Sequence, residues 1–302
     1  MTRTDGAASR PQTMCAEPPG SRPLRSLLFM PGSNARALEK ARGLPADGVI
    51  IDLEDAVAPD QKEGARDQAR AALAQGMGNR LTALRINGVD TPWWRDDVAA
   101  AVAGGADAVV IPKVESPAPV LDVAGALFLE GAPRSLAIWV MLETPASFLA
   151  LEAIARSHPR LGALVLGTND LAHGLKAAHV PGRAPLSAAL SMALLTARAH
   201  GLAALDGVYN RLKDTAGLEE ECRAGAALGF DGKTLIHPGQ IEAANTAFAP
   251  DPDAVANARK LVAAWEESDG GVVRVDGHMV EDMHVRDARD LIARAEALRE
   301  QQ

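Results

Sequence analysis

The sequence predicts an α/β fold, a closed (β/α)8 barrel of parallel strands wrapped by helices, and three observations carry that expectation. Short apolar or β-branched runs recur every few tens of residues, each followed by an Ala-rich amphipathic stretch, an alternation that calls for a parallel sheet with helical crossovers. The runs are continuously apolar rather than alternating, as strands covered on both faces are. No GxGxxG follows the first run, where an open doubly wound sheet of the dinucleotide-binding type would carry one.

The strands are expected at Leu24 to Met30, Gly48 to Leu53, Leu81 to Ile86, Ala108 to Pro112, Leu136 to Leu142, Ala163 to Gly167, Ala203 to Gly207 and Gly232 to Ile236. Trp93 and Trp94, after Thr91-Pro92, read as packing a helix start. Beyond the eighth strand, Gln240 to Phe248 reads as a helix, and Asp251-Pro252 caps another that runs to Glu267. Val272 to Glu281 holds an Asp276-Gly277 turn between short apolar runs, a hairpin signal, and Arg286 to Arg299 is an amphipathic helix. Three segments follow: a tail over residues 1–22 that reads as disordered, a barrel domain over 23–249, and a C-terminal hairpin-plus-helix extension over 250–302. The extension is either a lid over the site or an arm gripping a neighbouring subunit.

A chain of 302 residues with 47% hydrophobic content can fill one large core, and with only 3% aromatics that core is built from Ala, Val, Leu and Ile. The net charge of -8 argues against nucleic acid and membrane surfaces as partners, while a locally positive pocket can still take a phosphate-bearing ligand. Two cysteines, Cys15 and Cys222, give neither a disulfide framework nor metal-ligand spacing. The Pro- and Ser-rich tail lacks an apolar signal region, and no apolar run approaches the ~18 residues a membrane span needs, so a cytoplasmic protein is expected.

In a barrel of this kind chemistry gathers at the carboxyl ends of the strands. Those ends supply Pro31-Gly32-Ser33, Glu54-Asp55, Arg85 with Asn87, Lys113 with Glu115, Glu143, Asn169-Asp170, Asp206 and His237. Glu143 and Asp170, on adjacent strands with no Cys or His beside them, form an oxygen-only pair suited to Mg²⁺, with Mn²⁺ as an alternative; the competing reading is an ion-pair network answering Arg85 and Lys113. Arg85 can bind a substrate carboxylate through two parallel hydrogen bonds, and with a metal it would make an electrophilic clamp.

RSLLFMPGS (25–33), DLEDAVAPDQK (52–62), LRING (84–88), IPKVES (111–116), LETP (142–145), GTNDLA (167–172), LDGVY (205–209) and GFDGKTLIHPGQIEAAN (229–245) resemble, in order, the blocks of the citrate lyase β-subunit and malyl-CoA lyase family. The resemblance implies a TIM barrel assembled as a homotrimer or homohexamer, Mg²⁺ on Glu143 and Asp170, and Arg85 with the Asp170 amide and neighbouring Asn169 on the acid portion of a CoA thioester. It further implies CoA contacts at Phe29, Lys40, Ile236 and His237, with Glu54 and Asp55 orienting Arg85 and Lys113 or holding metal-bound water. Two positions depart from the family pattern. Asn34 stands where many lyases have an Arg after the PGS turn, with Arg36 placed to substitute for it, and Glu281 stands where the lyases carry an Asp that serves an adjacent subunit.

GTNDLA and the Val-Glu-Asp-Met-His-Val ending are most similar to the malyl-CoA thioesterase branch. That similarity implies hydrolysis of (3S)-malyl-CoA to malate and CoA, with Glu281 activating water and His237, His278 and His284 as alternative bases. Carbon-carbon cleavage of malyl- or citramalyl-CoA and a citrate lyase β-subunit acting on a carrier-bound thioester are the alternatives. A non-catalytic CoA sensor is disfavoured because Arg85, Glu143 and Asp170 are all present, and an aldolase on free aldehydes has no need of the C-terminal extension.

Overall fold

The computed structural model describes residues 22–267, 273–275 and 278–300. Eight parallel strands close on themselves: β1 (Ser26–Pro31), β2 (Gly48–Asp52), β3 (Leu81–Arg85), β4 (Ala108–Ile111), β5 (Ala137–Leu142), β6 (Leu161–Leu166), β7 (Ala203–Asp206) and β8 (Gly232–Leu235). They pair in chain order, and β8 returns to β1 through Ser26↔Lys233. Each predicted run is a strand, with every end within two residues of the expected one. β1, for example, opens at Ser26 because Arg25 is tied to Asp47 by a two-pronged ion pair before the ladder begins.

Helices α1 (Ala35–Ala41), α2 (Lys62–Ala74), α3 (Trp94–Gly104), α4 (Pro117–Leu129), α5 (Pro145–Leu149), α6 (Leu151–Ala155), α7 (Thr168–Leu175), α8 (Ser187–His200), α9 (Thr215–Leu228) and α10 (Ile241–Ala247) sheathe the barrel. Their starts follow local chemistry. Asn34, Thr144 and Asp214 accept a backbone N–H from the first turn of α1, α5 and α9, and Pro occupies the opening turns of α4 and α5. Trp94 is buried where α3 begins, as the sequence predicts.

Apolar residues divide between two cores. Leu27, Ile50, Leu81, Ala83, Val110, Trp139, Met141, Val165 and Leu205 fill the barrel lumen, and the alternate positions Leu28, Val49, Ile51, Leu84, Val109, Val140 and Leu164 meet the helices. Side chains two apart on a strand share a face. The inward rows therefore run from Leu27 to Phe29, from Ile50 to Asp52, from Leu81 through Ala83 to Arg85, and from Trp139 through Met141 to Glu143, so that apolar packing gives way to charge at one end of the lumen.

The chain continues into α11 (Pro252–Glu266), a two-stranded antiparallel ribbon of β9 (Val273–Val275) and β10 (His278–Val280), and α12 (Asp282–Glu300). α12 starts four residues earlier than the predicted Arg286, because Glu281 acts as its cap: the Glu281 carbonyl accepts from the His284 N–H and the Glu281 N–H donates to His284 Nδ1 at 3.1 Å. α11 and α12 pack side by side, joined by ion pairs Arg259–Glu296 and Arg289–Glu266 at 2.7 and 3.0 Å, and each has a buried face, Val255 and Ala258 on α11 and Val285 and Ala288 on α12. The far end of α12, at Arg294 and Leu298, faces Leu24 and Phe248 at the amino-terminal end of the barrel. Of the predicted tail only Arg22 is described, paired with Asp107 at 2.7 Å, and the Asp276-Gly277 turn lies outside the described residues. Among the described residues no helix is long and apolar enough to cross a membrane.

Candidate active site at the carboxyl ends of the strands

A cavity of about 460 Å³ opens at the carboxyl end of the barrel, and Arg85, Glu143 and Asp170 all line it. Arg85 is held first by Asp52, its register partner across β2 and β3. Nε donates to Asp52 Oδ1 at 2.7 Å and Nη2 to Oδ2 at 2.5 Å. Asp52 also accepts the N–H groups of Glu54 and Ala56 at 2.8 and 3.2 Å, which fix the turn after β2. Burial opposes the charge on Arg85, but the hydrogen bonds and charge of Asp52 outweigh it and hold the guanidinium above its ordinary pKa. Nη1 is the nitrogen Asp52 leaves free; it lies 3.1 Å from Glu54 Oε2, and the guanidinium sits 5.0 Å from the Phe29 ring centroid.

Glu143 is 1% exposed, and its Oε1 accepts the Lys113 N–H at 2.6 Å. Burial pushes its carboxyl up to about 7, with Glu54 and Asp170 adding to the rise while the Lys113 N–H and Arg85 oppose it. The close approach of β6 makes Gly167 necessary: a Cβ there would stand 2.3 Å from Glu143 Cβ and 2.6 Å from Oε2. Asp170 faces the cavity from the first turn of α7, where helix N–H groups favour an anion.

Lys113 turns back over this group. Its Nζ donates to Glu54 Oε1 at 2.5 Å and lies 3.4 Å from Asp55 Oδ1, and its backbone has φ +51°, in the left-handed region. Burial raises the Glu54 pKa despite Arg85 and Lys113, and Glu54 Oε2, although in ion-pair range of Arg85, makes no hydrogen bond. Lys62 closes the set from below, its ammonium donating to the Leu53 and Glu54 carbonyls at 2.8 and 2.7 Å.

Carboxylates outnumber cations here: Asp52, Glu54, Asp55, Glu143 and Asp170 against Arg85, Lys113 and Lys62. Among the described residues no cluster of three or more His, Cys, Asp or Glu is arranged as a ready metal cage. The fit for a hard cation rests instead on the oxygen-only pair Glu143 and Asp170 and on the negative surplus around it, the donor set Mg²⁺ takes when waters and substrate oxygens complete its shell.

Of the other predicted site residues, Phe29, Asp55, Asn169 and Ile236 line the cavity. Asn169 exchanges amide hydrogen bonds with Asn210 at 3.2 and 2.6 Å. Glu54 is buried behind the lining. Asn34 caps α1, its Oδ1 accepting from Ala37 at 3.0 Å, and His237 Nδ1 accepts from Gly239 at 3.0 Å. Arg36 and Lys40 are exposed on α1 outside the lining. Because β1 and β8 are neighbours, the turn bearing Asn34 and the turn bearing His237 share one side of the mouth. Glu281 is exposed at the head of α12 and does not line the cavity of its own chain. The sequence reading missed Asp52, although a carboxylate ending an apolar strand beside the strand that ends in Arg85 was visible in it, and it missed the backbone N–H of Lys113, which leaves no mark in the sequence.

The HpcH/HpaI aldolase/citrate lyase family matches residues 25–238, and the chain belongs to that family. A second family, described as a C-C bond lyase of the TIM-barrel fold, matches residues 184–298. The chain is 48% identical over 280 residues to a (3S)-malyl-CoA thioesterase of Cereibacter sphaeroides, covering 91% of this chain and 96% of the relative. It is 35% identical over 285 residues to the citrate lyase β-subunit of Escherichia coli, covering 91% and 94%. Among solved structures, the CitE protein of Mycobacterium tuberculosis in complex with magnesium, acetoacetate and coenzyme A superposes with a TM-score of 0.70 at 31% identity, covering 90% of this chain and 97% of that one.

Proposed function

We propose that this protein hydrolyses (3S)-malyl-CoA to malate and CoA, with Mg²⁺ held by Glu143 and Asp170. One observation carries the reading: a guanidinium and an oxygen-only carboxylate pair line the same cavity, so a hydroxy acid chelating a cation there presents its distal carboxylate to Arg85. The thioesterase of C. sphaeroides, similar over nearly the whole chain, supports the substrate, and the magnesium and coenzyme A named for the M. tuberculosis protein support the metal and the thioester.

When bound, Mg²⁺ would supply Lewis-acid stabilisation of charge building on the thioester oxygen. The residues of the chain do the rest. Asp52 holds the Nε–Nη2 edge of Arg85 so that Nη1 meets the malyl carboxylate. The Lys113 N–H fixes Oε1 of Glu143, and Gly167, having no side chain, leaves room for Oε2. Phe29 and Ile236 give the thioester end an apolar wall, and Asn34, Arg36, Lys40 and His237 receive the CoA on the β1–β8 side of the mouth. Glu281, delivered by a neighbouring copy in a homotrimer or homohexamer, takes the proton from the attacking water.

The test is to incubate the protein with (3S)-malyl-CoA, with Mg²⁺ or with EDTA, and to follow free thiol and glyoxylate in parallel. Thiol and malate without glyoxylate, lost in EDTA, is the expected result. Glyoxylate with acetyl-CoA would overturn hydrolysis in favour of carbon-carbon cleavage, the reading favoured by the match of residues 184–298 to a C-C bond lyase.

A further inference from the structure

We infer that Lys113 is a positioning residue that works through two separate groups, its backbone N–H on Glu143 and its ammonium on Glu54, and so keeps the metal ligand and the arginine clamp in register. The inference rests on reading Glu143 as a metal ligand.

Lys113 follows β4 and Pro112 with φ +51°, a conformation a lysine adopts only where its surroundings over-determine it. Here they do so from two sides. The N–H meets Glu143 Oε1 at 2.6 Å, and Nζ meets Glu54 Oε1 at 2.5 Å and Asp55 Oδ1 at 3.4 Å. Rotation about N–Cα sets the angle between a residue's N–H and its side chain, so the left-handed turn is what allows both contacts at once. With Oε1 engaged, the Oε2 atom of Glu143 lies over Gly167, on the side of β6 from which Asp170 follows.

The ammonium has a different task. Glu54 Oε2 stands 3.1 Å from Arg85 Nη1, the nitrogen Asp52 leaves free, and there it competes with an incoming substrate carboxylate. By drawing on Oε1, Lys113 weakens that competition. Without the ammonium, Glu54 has Arg85 as its remaining side-chain partner, and the clamp is part-occupied before substrate arrives.

Two variants separate the functions. Lys113→Gly removes the ammonium but tolerates φ +51° and keeps the N–H in place. Lys113→Val also removes the ammonium, and its β-branched side chain resists positive φ and swings the N–H away. Mg²⁺ and then malate in saturating Mg²⁺ are titrated calorimetrically into the full chain, and KM for (3S)-malyl-CoA is measured beside them. The Lys113→Gly variant is expected to bind Mg²⁺ within about threefold of wild type while its malate Kd and its KM rise about tenfold. Lys113→Val is expected to lose a further tenfold or so in Mg²⁺ affinity, and Lys113→Arg to restore the malate Kd.

A merely structural lysine would shift the melting temperature without dividing metal from malate affinity in this way. Equal Mg²⁺ affinity in the Gly and Val variants, or a malate Kd that Lys113→Gly leaves unmoved, would overturn the inference. A wild type that binds Mg²⁺ and malate but releases no thiol from (3S)-malyl-CoA would sink the proposed hydrolysis while the calorimetry still judges Lys113. A wild type that binds no Mg²⁺ would sink both.

Discussion

At Glu143 burial and the Arg85 charge pull in opposite directions. Its carboxyl, pushed to about 7 by burial, binds a proton more tightly in the folded protein than at the ordinary value of 4.5 in the unfolded chain. The sign follows from linkage: as pH rises from 4.5 to about 7, the metal-free fold loses the stability this protonated group contributes, because the unfolded chain ionises first. A divalent cation on Glu143 favours the ionised form and reverses the trend. The gain in melting temperature on adding Mg²⁺ should therefore be small at pH 5.5 and grow through about 7, with Mg²⁺ affinity following the same course; in Glu143→Gln both dependences should vanish. Arg85 tests the neighbouring feature. A lysine cannot reproduce the two parallel bonds to Asp52, so Arg85→Lys should lower kcat/KM for the malyl thioester by about 10²-fold, and an undiminished value would mean that Asp52 does not orient a substrate contact.

The loops after β6 and β7 carry the constraints that belong to whole elements. Gly167→Ala would drive a methyl into Glu143, at an overpacking cost of ~1–3 kcal/mol, and should weaken Mg²⁺ binding more than it lowers the urea midpoint. Behind the site, β7 and β8 are joined by a buried network. Lys233, with no exposed surface, donates to Asp206 at 3.1 Å and Glu221 at 2.8 Å, and Arg183 reaches the other oxygen of Asp206 at 2.5 Å. Burial alone would raise the Asp206 carboxyl, but Lys233 and Arg183 hold it below its ordinary value. Lys233→Met leaves that carboxylate short of a partner, so equilibrium unfolding should show a loss of ~3–5 kcal/mol. The strands that position these residues were legible because each is a continuous apolar run bounded by polar residues. The network was not, since Lys233 lies inside such a run and a lone buried lysine shows nothing of the Asp206 and Glu221 that receive it.

At the scale of the molecule the proposed role of Glu281 depends on the place of α12. Glu281 caps α12, whose far end lies against the amino-terminal end of the barrel, while the cavity opens at the opposite end. If it serves the neighbouring copy, co-expressed Arg85→Lys and Glu281→Gln chains form mixed oligomers in which some sites hold both native residues. About a quarter of wild-type activity is expected from random mixing in a closed ring. No recovery above the single variants, with mixed oligomers present by mass, would show that the arm acts on its own chain or not at all.

The sequence by itself determined the eight strands, their order, the polar residues that end them and the family to which the chain belongs, because runs, caps and motifs are written locally along the chain. Only the tertiary structure decided which of those ends meet: that Asp52 takes the Nε–Nη2 edge of Arg85, that Lys113 serves Glu143 with its backbone and Glu54 with its side chain, and that Asn34 and His237 spend hydrogen bonds on capping. The physical reason is that contacts across a barrel mouth depend on closure, register and the rotation of single backbone bonds, and these are properties of the assembled sheet.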